Sequence, residues 1–561
     1  MTEHLEPAID RWSTWILSAL VVLTAIAFFP DLASPFFAAK SLVFFLGVAL
    51  LFAVALFRGS RLFPIDPASR RLALCLVAFA CLALISTVAS RWRYMSPNTV
   101  AWYLACLVLC WTGTLLSHRH LSSFLKCIAV AGSLVAAAAL AQALIGHDFL
   151  FPLFGRSAQL FAGRMRLFST LGNPNFVATY IAACCPAILA FGLRSSRLRQ
   201  LAAFTWLCVL IAVVIMTGSR AGLLALIAGL SASLLMGPIP RRTSVLSIAI
   251  GLLLLLSLAH FSNRNPRSIG DSFAGRSLIW RATLSDSWFR PLGTGPGTFA
   301  YLYPSRVGSL LTQSADADTQ RFAGREEHAL NDWVELWSDL GPLAPILLIV
   351  LVVLFVKALT RPAASERSSS RAVIAGIVAA LITASFFDFP LYRPETAVLF
   401  WLALGMALAT DPAAAPRRAA SSTLRWSLAL VILAAGLFFA ITPTIASYYT
   451  QRGRKAEMHY PATAYAFYDR ALLWDPAQTD ARFGRMKMLT FLQMYPDAFA
   501  ANTDLLAWVC EPEVWVYRSQ IAHTMNDDAL ALAQLRIGLA QFPYSKALQQ
   551  ELARFGENST R

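Results

Sequence analysis

Apolar stretches of about 17–24 residues, each long enough to cross a bilayer as a helix, recur along the first 443 positions. They lie near 12–29, 36–57, 72–89, 98–117, 123–145, 175–193, 201–217, 221–237, 243–261, 341–359, 372–388, 395–410 and 424–443, with polar turns between them. The pattern predicts an all-α polytopic membrane helical bundle of about 12–13 spans. The eighth and twelfth stretches are short, and a longer polar segment, roughly 262–340, interrupts the series. The first stretch follows an acidic, polar N-terminus and meets no small-residue cleavage site, so it reads as a span rather than a leader. From about 444 the composition becomes mixed, which predicts a soluble helical domain over 444–561 beside a membrane domain over 1–443.

Composition excludes a purely soluble enzyme. Hydrophobic residues make up 57% of the chain and charged residues 14%, with mean hydropathy +0.57. A soluble domain carries about 25% charged residues. The same numbers exclude disorder and fibrous structure. Of nine Cys, eight lie in apolar runs and none forms a CxxC, so neither a disulfide framework nor a metal site follows. The net charge of +16 comes from 41 Arg and only 6 Lys. These Arg alternate with apolar stretches instead of covering a soluble surface, which argues against a nucleic-acid partner.

Charge also orients the bundle. With the N-terminus inside, the cytoplasmic loops hold fifteen Arg, from Arg58 to Arg418, and the short outer loops seven. The long loop and everything after about 444 then fall outside. Yet the long loop is itself crowded with Arg264, Arg267, Arg276, Arg281, Arg290, Arg306, Arg321 and Arg325, and no Lys lies between Lys126 and Lys357. Arg presents a planar fork of donors that matches phosphate. An outer site for a phosphorylated ligand fits; solvated loop charge paired with Asp and Glu is the plainer account.

Four segments on that side stand out. Leu171-Gly-Asn-Pro-Asn-Phe176 places Asn173 and Asn175 around Pro174 at the mouth of the sixth span; a helix-capping turn would explain one Asn. Thr217-Gly-Ser-Arg-Ala-Gly222 is a tight turn that sets Arg220 near the bilayer, where a snorkelling Arg would also sit. Gly275-Arg-Ser-Leu-Ile-Trp-Arg281 leads to Arg290-Pro-Leu-Gly-Thr-Gly-Pro-Gly-Thr-Phe299. The first half has the amphipathic character of an interfacial helix. The second lacks the strand that a dinucleotide loop requires. Arg325-Glu-Glu-His-Ala-Leu-Asn-Asp-Trp333 sets His328 among Glu326, Glu327, Asn331 and Asp332; a lone His is as readily structural as catalytic. Asp316-Ala-Asp318 reads as a loop acid pair.

These four segments, in this order, resemble the O-antigen ligase superfamily, which includes O-antigen ligases, O-antigen polymerases and protein O-oligosaccharyltransferases. The resemblance covers about 160 to 345 in detail and the span pattern up to 443. It implies a metal-independent, inverting transferase of the membrane-embedded C-type glycosyltransferase fold, with no cofactor. The donor would be a glycan on undecaprenyl pyrophosphate, used on the periplasmic face of the bacterial inner membrane. Arg220 and Arg276 resemble the arginines that bind the pyrophosphate, and His328 the outer-loop base. Asn173, Asn175, Arg164, Arg166, Arg281, Asn331, Asp332 and Arg393 are further candidates for binding substrate. Family members often carry His directly before the Asn, where this chain has Leu330. Either His328 works from two residues upstream, or another residue, for example Glu327, is the base. Fixed Arg would stabilise charge on the leaving pyrophosphate, and neutral His has a suitable pKa for the acceptor hydroxyl.

In the C-terminal region one spacing recurs: Ala464, Tyr468, Ala471, Pro476; then Ala500, Asp504, Ala507, Pro512; then Ala531, Leu535, Gly538, Pro543. It is similar to the second helix of a tetratricopeptide repeat; Asp504 departs from the expected large residue. An ordinary helical bundle is the alternative. Such repeats imply a protein partner. Lipid A-core, another glycan or a protein could each be the acceptor. A transporter or flippase of lipid-linked glycans would show inverted repeats and charge at mid-membrane depth, whereas here the charge collects at one face. A scaffold would leave the outer Arg and His without a task.

Overall fold

The computed structural model describes residues 6–58, 61–64, 67–116, 118–145, 167–193, 196–237, 269–287, 290–313, 326–360, 365–408, 417–419 and 421–558. The stretch at 243–261, Arg164, Arg166, Asp316, Asp318 and Arg325 lie outside these residues.

The other twelve apolar stretches coincide with helices. They are α1 (Glu6–Ile26), α2 (Phe37–Arg58), α3 (Pro67–Ala89), α4 (Pro97–Leu115), α5 (His118–Ile145), α6 (Pro174–Leu193), α7 (Arg197–Thr217) and α8 (Arg220–Met236). After the long loop follow α12 (Leu343–Leu359), α13 (Ser365–Ser385), α14 (Pro394–Leu408) and α15 (Ser422–Ala456). Among the described residues, α1–α7 and α15 are the eight helices long and apolar enough to cross a membrane; α8, α12, α14 and Ser369–Ser385 of α13 are shorter apolar helices. The long loop itself folds into α9 (Ile269–Ser287), α10 (Phe299–Gln313) and α11 (Asp332–Leu340).

Small residues let the bundle helices touch backbone to backbone. A Cβ on Gly405 of α14 would lie 2.0 Å from the Cys110 carbonyl oxygen of α4, and one on Gly229 of α8 2.9 Å from that of Gly376 of α13. Among the described residues, the only strands are β1 (Arg61–Pro64) and β2 (Arg417–Ala419), paired antiparallel at one end of the bundle. At the other end lie the N-termini of α2, α6, α8 and α14 together with α9–α11.

α15 carries the chain through Pro443 without a break. Its first half packs along α2, and its extension packs on α16 (Pro461–Trp474). Then come α17 (Thr479–Phe491), α18 (Tyr495–Leu506), α19 (Pro512–Thr524), α20 (Asp528–Gln541) and α21 (Lys546–Asn558), each packed on its predecessor. In α16 the buried set is Ala464, Tyr468 and Ala471, and in α20 it is Ala531, Leu535 and Gly538, as the spacing predicts. The middle copy is shifted by two residues: α18 buries Ala498, Asn502 and Leu505, while Ala500 and Asp504 are exposed. The four-then-three spacing survives, with Asn502 in the large position, where its Nδ2 donates to the Val514 carbonyl at 3.0 Å.

The repeats sit on the same end as α9–α11. Tyr301 of α10 donates to the Leu506 carbonyl at 3.4 Å, and Tyr544 donates to the Pro304 carbonyl at 3.3 Å. Tyr544 also packs against the core that α9 and α10 share with Ala329.

Candidate active site

The start of α11 fixes the site. Asn331 is its N-cap and accepts from the Trp333 and Val334 amides at 3.0 and 3.2 Å, while its own Nδ2 donates to the Phe386 carbonyl at 3.1 Å. Leu330, just before, takes a left-handed φ of 51°. That turn doubles the chain back, so that His328 lies over the helix it precedes. There Glu335, in the first turn of α11, binds twice: its Oε1 lies 2.7 Å from His328 Nδ1, and its Oε2 accepts the Ala329 amide at 2.9 Å. An acid near a helix N-terminus reaching back to a preceding amide is a known capping geometry, favoured by the helix dipole.

The His328 ring stacks on Phe389 with centroids 4.1 Å apart and leans on Tyr392 at 5.4 Å. The opposite edge of α9 is tied in by Trp280, whose Nε1 donates to the Ala329 carbonyl at 3.1 Å. His328 keeps 28% of its side chain exposed and Glu335 only 4%. Burial by itself would lower the His328 pKa, but the charge and hydrogen bond of Glu335, helped by Glu327, outweigh it and raise the pKa.

Arg276, half-buried on α9, and Arg220, the first residue of α8, lie close enough for their charges to act on each other. Burial lowers the Arg276 pKa, the carboxylate of Asp388 opposes that, and Arg220 adds to it. Asp388 is the hub. Burial raises its pKa, against the amide of Phe389 and the charges of Arg276, Arg393 and His328. Its Oδ1 accepts the Phe389 amide at 2.9 Å, while Oδ2 has no hydrogen-bond partner among the described residues. Ser219 caps α8 by accepting the Gly222 amide at 3.2 Å, which sets Arg220 at the mouth of the bundle. A Cβ on Gly222 would lie 2.2 Å from that of Ala178, so only Gly permits this approach of α8 to α6.

Arg393 occupies the next pocket. Its guanidinium lies over Phe176 at 4.3 Å and Phe37 at 5.2 Å, and its Nε pairs with Glu395 at 3.1 Å. Beside it, Lys40 donates to the carbonyls of Ala27 at 2.6 Å and Thr170 at 2.9 Å.

Other predicted residues have bracing bonds. Asp332 Oδ2 accepts the Leu391 amide at 3.1 Å, holding α11 to the turn before α14. Asn173 Oδ1 accepts the Asn175 amide at 2.9 Å, the capping turn its sequence suggests. Asn175 is half-buried at the mouth of α6, and Arg281 is exposed on α9. The α9 side that reads as an interfacial face instead buries Leu278 against α10. The glycine-rich segment is a brace: the Thr294 and Gly295 amides donate to the Ser338 and Asp339 carbonyls at 2.8 and 3.0 Å. Gly293 has φ 66°, and a Cβ there would meet the Asp339 backbone at 2.4 Å. Among the described residues, no group of three or more His, Cys, Asp or Glu is placed to hold a metal ion.

Glu335 and Asp388 were missed by sequence reasoning. The available signal was an acid at the end of an apolar stretch for Asp388, since ionisable groups at membrane helices are commonly functional. For Glu335 it was an acid one turn inside an Asn-capped helix.

Residues 203–349 match the family described as O-Antigen ligase (Wzy_C). With the apolar helices, that match suggests a bacterial membrane protein concerned with glycan transfer or polymerisation. No curated protein matches the chain. Among solved structures, the crystal structure of APC/C hetero-tetramer Cut9-Hcn1 is similar at 11% identity over 92% of this chain and 90% of that chain, with a TM-score of 0.21. At that score the likeness carries no argument.

Proposed function

We propose that the O-antigen ligase domain transfers or polymerises a glycan from an undecaprenyl-pyrophosphate donor onto an acceptor hydroxyl, at the periplasmic face of the inner membrane. The observation that carries this reading is the meeting of Arg220, Arg276 and Asp388 with His328 in one half-buried cluster. Nε2 of His328 removes the acceptor proton as the acceptor oxygen attacks the anomeric carbon. The bond from that carbon to the pyrophosphate oxygen breaks, and its electron pair stays on the phosphate. Attack opposite the leaving group inverts the anomeric centre. Arg220 and Arg276 hold the charge that develops, in a site poorer in water than the bulk, where fixed donors act most strongly. Asp388 keeps Arg276 in place. Since the arginines supply the counter-charge, full activity in chelator is expected, and abolition by chelator with rescue by Mg²⁺ or Mn²⁺ would sink the metal-independent part of the proposal.

The test uses purified full-length variants with donor binding and transfer measured separately. His328→Ala should lose about 10²–10⁴ in transfer rate and keep donor binding. Arg276→Ala should lose about 10²–10³ and weaken donor binding, with Arg276→Lys recovering part, because a point charge does not reproduce a fork. If both Arg220→Ala and Arg276→Ala bind and transfer normally, the pyrophosphate site is elsewhere. If Glu327→Ala is inactive and His328→Ala is not, Glu327 is the base. The repeats share the site's end of the bundle, so they would reach a protein acceptor or assembly partner there. An alkaline phosphatase fusion after residue 450 should be active; an inactive one would reverse the topology.

A further inference from the structure

We infer that Glu335 is a positioning residue for this reaction: it holds His328 in the tautomer that carries its proton on Nδ1 and turns Nε2 toward the acceptor. This rests on His328 as the general base, and it adds a residue that the motif does not contain.

The geometry is over-determined. One carboxylate oxygen lies 2.7 Å from Nδ1, and the other accepts the amide of Ala329, the next residue in the chain. A bidentate carboxylate so placed fixes both the ring and the backbone that carries it. Phe389 stacked at 4.1 Å blocks one ring face. An ionised carboxylate can only accept, so Nδ1 must donate and the lone pair must sit on Nε2. As Nε2 takes the acceptor proton, the ring becomes a cation, which the adjacent carboxylate stabilises. Glu335 keeps its charge throughout, and no proton passes to it. Its burial at 4% exposure strengthens that interaction.

Other groups act on His328 and must be held constant. Glu326 and Glu327 come from its own segment, Asp339 from α11, and Asp388 and Arg393 from the turn before α14. None of these is hydrogen-bonded to the ring among the described residues. Removing Glu335 therefore removes the main influence that raises the His328 pKa, so the acid limb of the rate profile should move to lower pH.

The experiment compares full-length Glu335→Gln and Glu335→Asp with the native enzyme, using lipid-linked glycan donor, from acid to alkaline pH. For Glu335→Gln, kcat should fall about 10²-fold, KM for donor should stay near native, and the acid limb should shift to lower pH. Glu335→Asp should return the limb toward its native position. In a His328→Ala background, Glu335→Gln should add no further loss, because it acts through the ring. Normal kcat with an unmoved limb in Glu335→Gln would overturn the inference. So would a rate loss without a limb shift, or a further loss in the His328→Ala background, either of which makes Glu335 a structural support alone. Full activity of His328→Ala would instead remove the base reading itself. Should Glu335→Gln fold poorly, Glu335→Asp decides: a folded variant without activity, or an active one with a displaced limb, counts against the inference, and partial activity with a native limb supports it.

Discussion

The repeats and the segment from 326 to 395 use burial in opposite ways. The repeats bury Ala, Tyr, Leu and Gly at a regular spacing and keep most of their charge at the surface, where Arg454 pairs with Asp480 at 2.6 Å; the buried Arg482 reaches the exposed Asp504. The other region buries Asp332, Glu335, Asp339, Asp388, Arg393 and Glu395. Taking a charge out of water costs several kcal/mol per ion, and pairing returns that only with good geometry. A fold that needed nothing but stability would not bury six such groups within one short stretch. The repeats are built for packing, and the region around His328 gives up stability for electrostatic geometry.

The largest expected effect on the packing side is Tyr468→Ala. Tyr468 is fully buried; Cβ atoms added at Gly453 and Gly484 would lie 2.6 and 2.4 Å from its ring, and its hydroxyl donates to Glu457. Its removal should cost about 3–5 kcal/mol, read as early unfolding or proteolysis of the C-terminal helices. Turnover per folded molecule should hold. A lost transfer rate with the helices still folded would break the comparison, because the repeats would then contribute directly to chemistry.

Asp339→Asn tests the other side. Burial, then the charge of Glu335, pushes the Asp339 carboxyl up to about 7, against the Gly297 amide and the Tyr103 hydroxyl. An unfolded Asp titrates near about 3.9. The folded pKa is the higher one, so the unfolded chain ionises first, and native stability falls as pH rises from about 4 to about 7. Asp339→Asn should remove that fall, gaining up to about 4 kcal/mol above neutrality relative to its standing in acid. Melting temperatures of both proteins across that range would show it; parallel curves would mean that Asp339 is not strained by its burial.

The smallest effect should be Asp504→Ala. Asp504 is half exposed and its partner Arg482 also lies over Trp508 at 4.4 Å. Arg482 keeps its bonds to the Pro476 carbonyl at 2.9 and 2.7 Å, so loss of the exposed Asp504 should cost less than about 1 kcal/mol. A larger loss, in a denaturant titration, would mean that charge as well as packing holds the repeats.

Hydropathy along the chain determined the helices, because a span or a buried stripe is a local property of consecutive residues. The same holds for the caps, since Asn173 and Ser219 act on amides within three residues of themselves. The first and third repeat copies were legible for that reason, and Arg220, Arg276 and His328 were legible through ordered motifs. Tertiary structure decided the rest. The middle copy slipped by two residues because Asn502 finds its acceptor, Val514, on the following helix. Glu335 became the partner of His328 because a left-handed Leu330 and the Asn331 cap fold the segment back on α11. Asp388 came to face Arg276 although 112 positions separate their numbers. Periodicity encodes which side of a helix avoids water. It does not encode which distant charge will be brought near, and a buried carboxylate takes its pKa and its role from that neighbour.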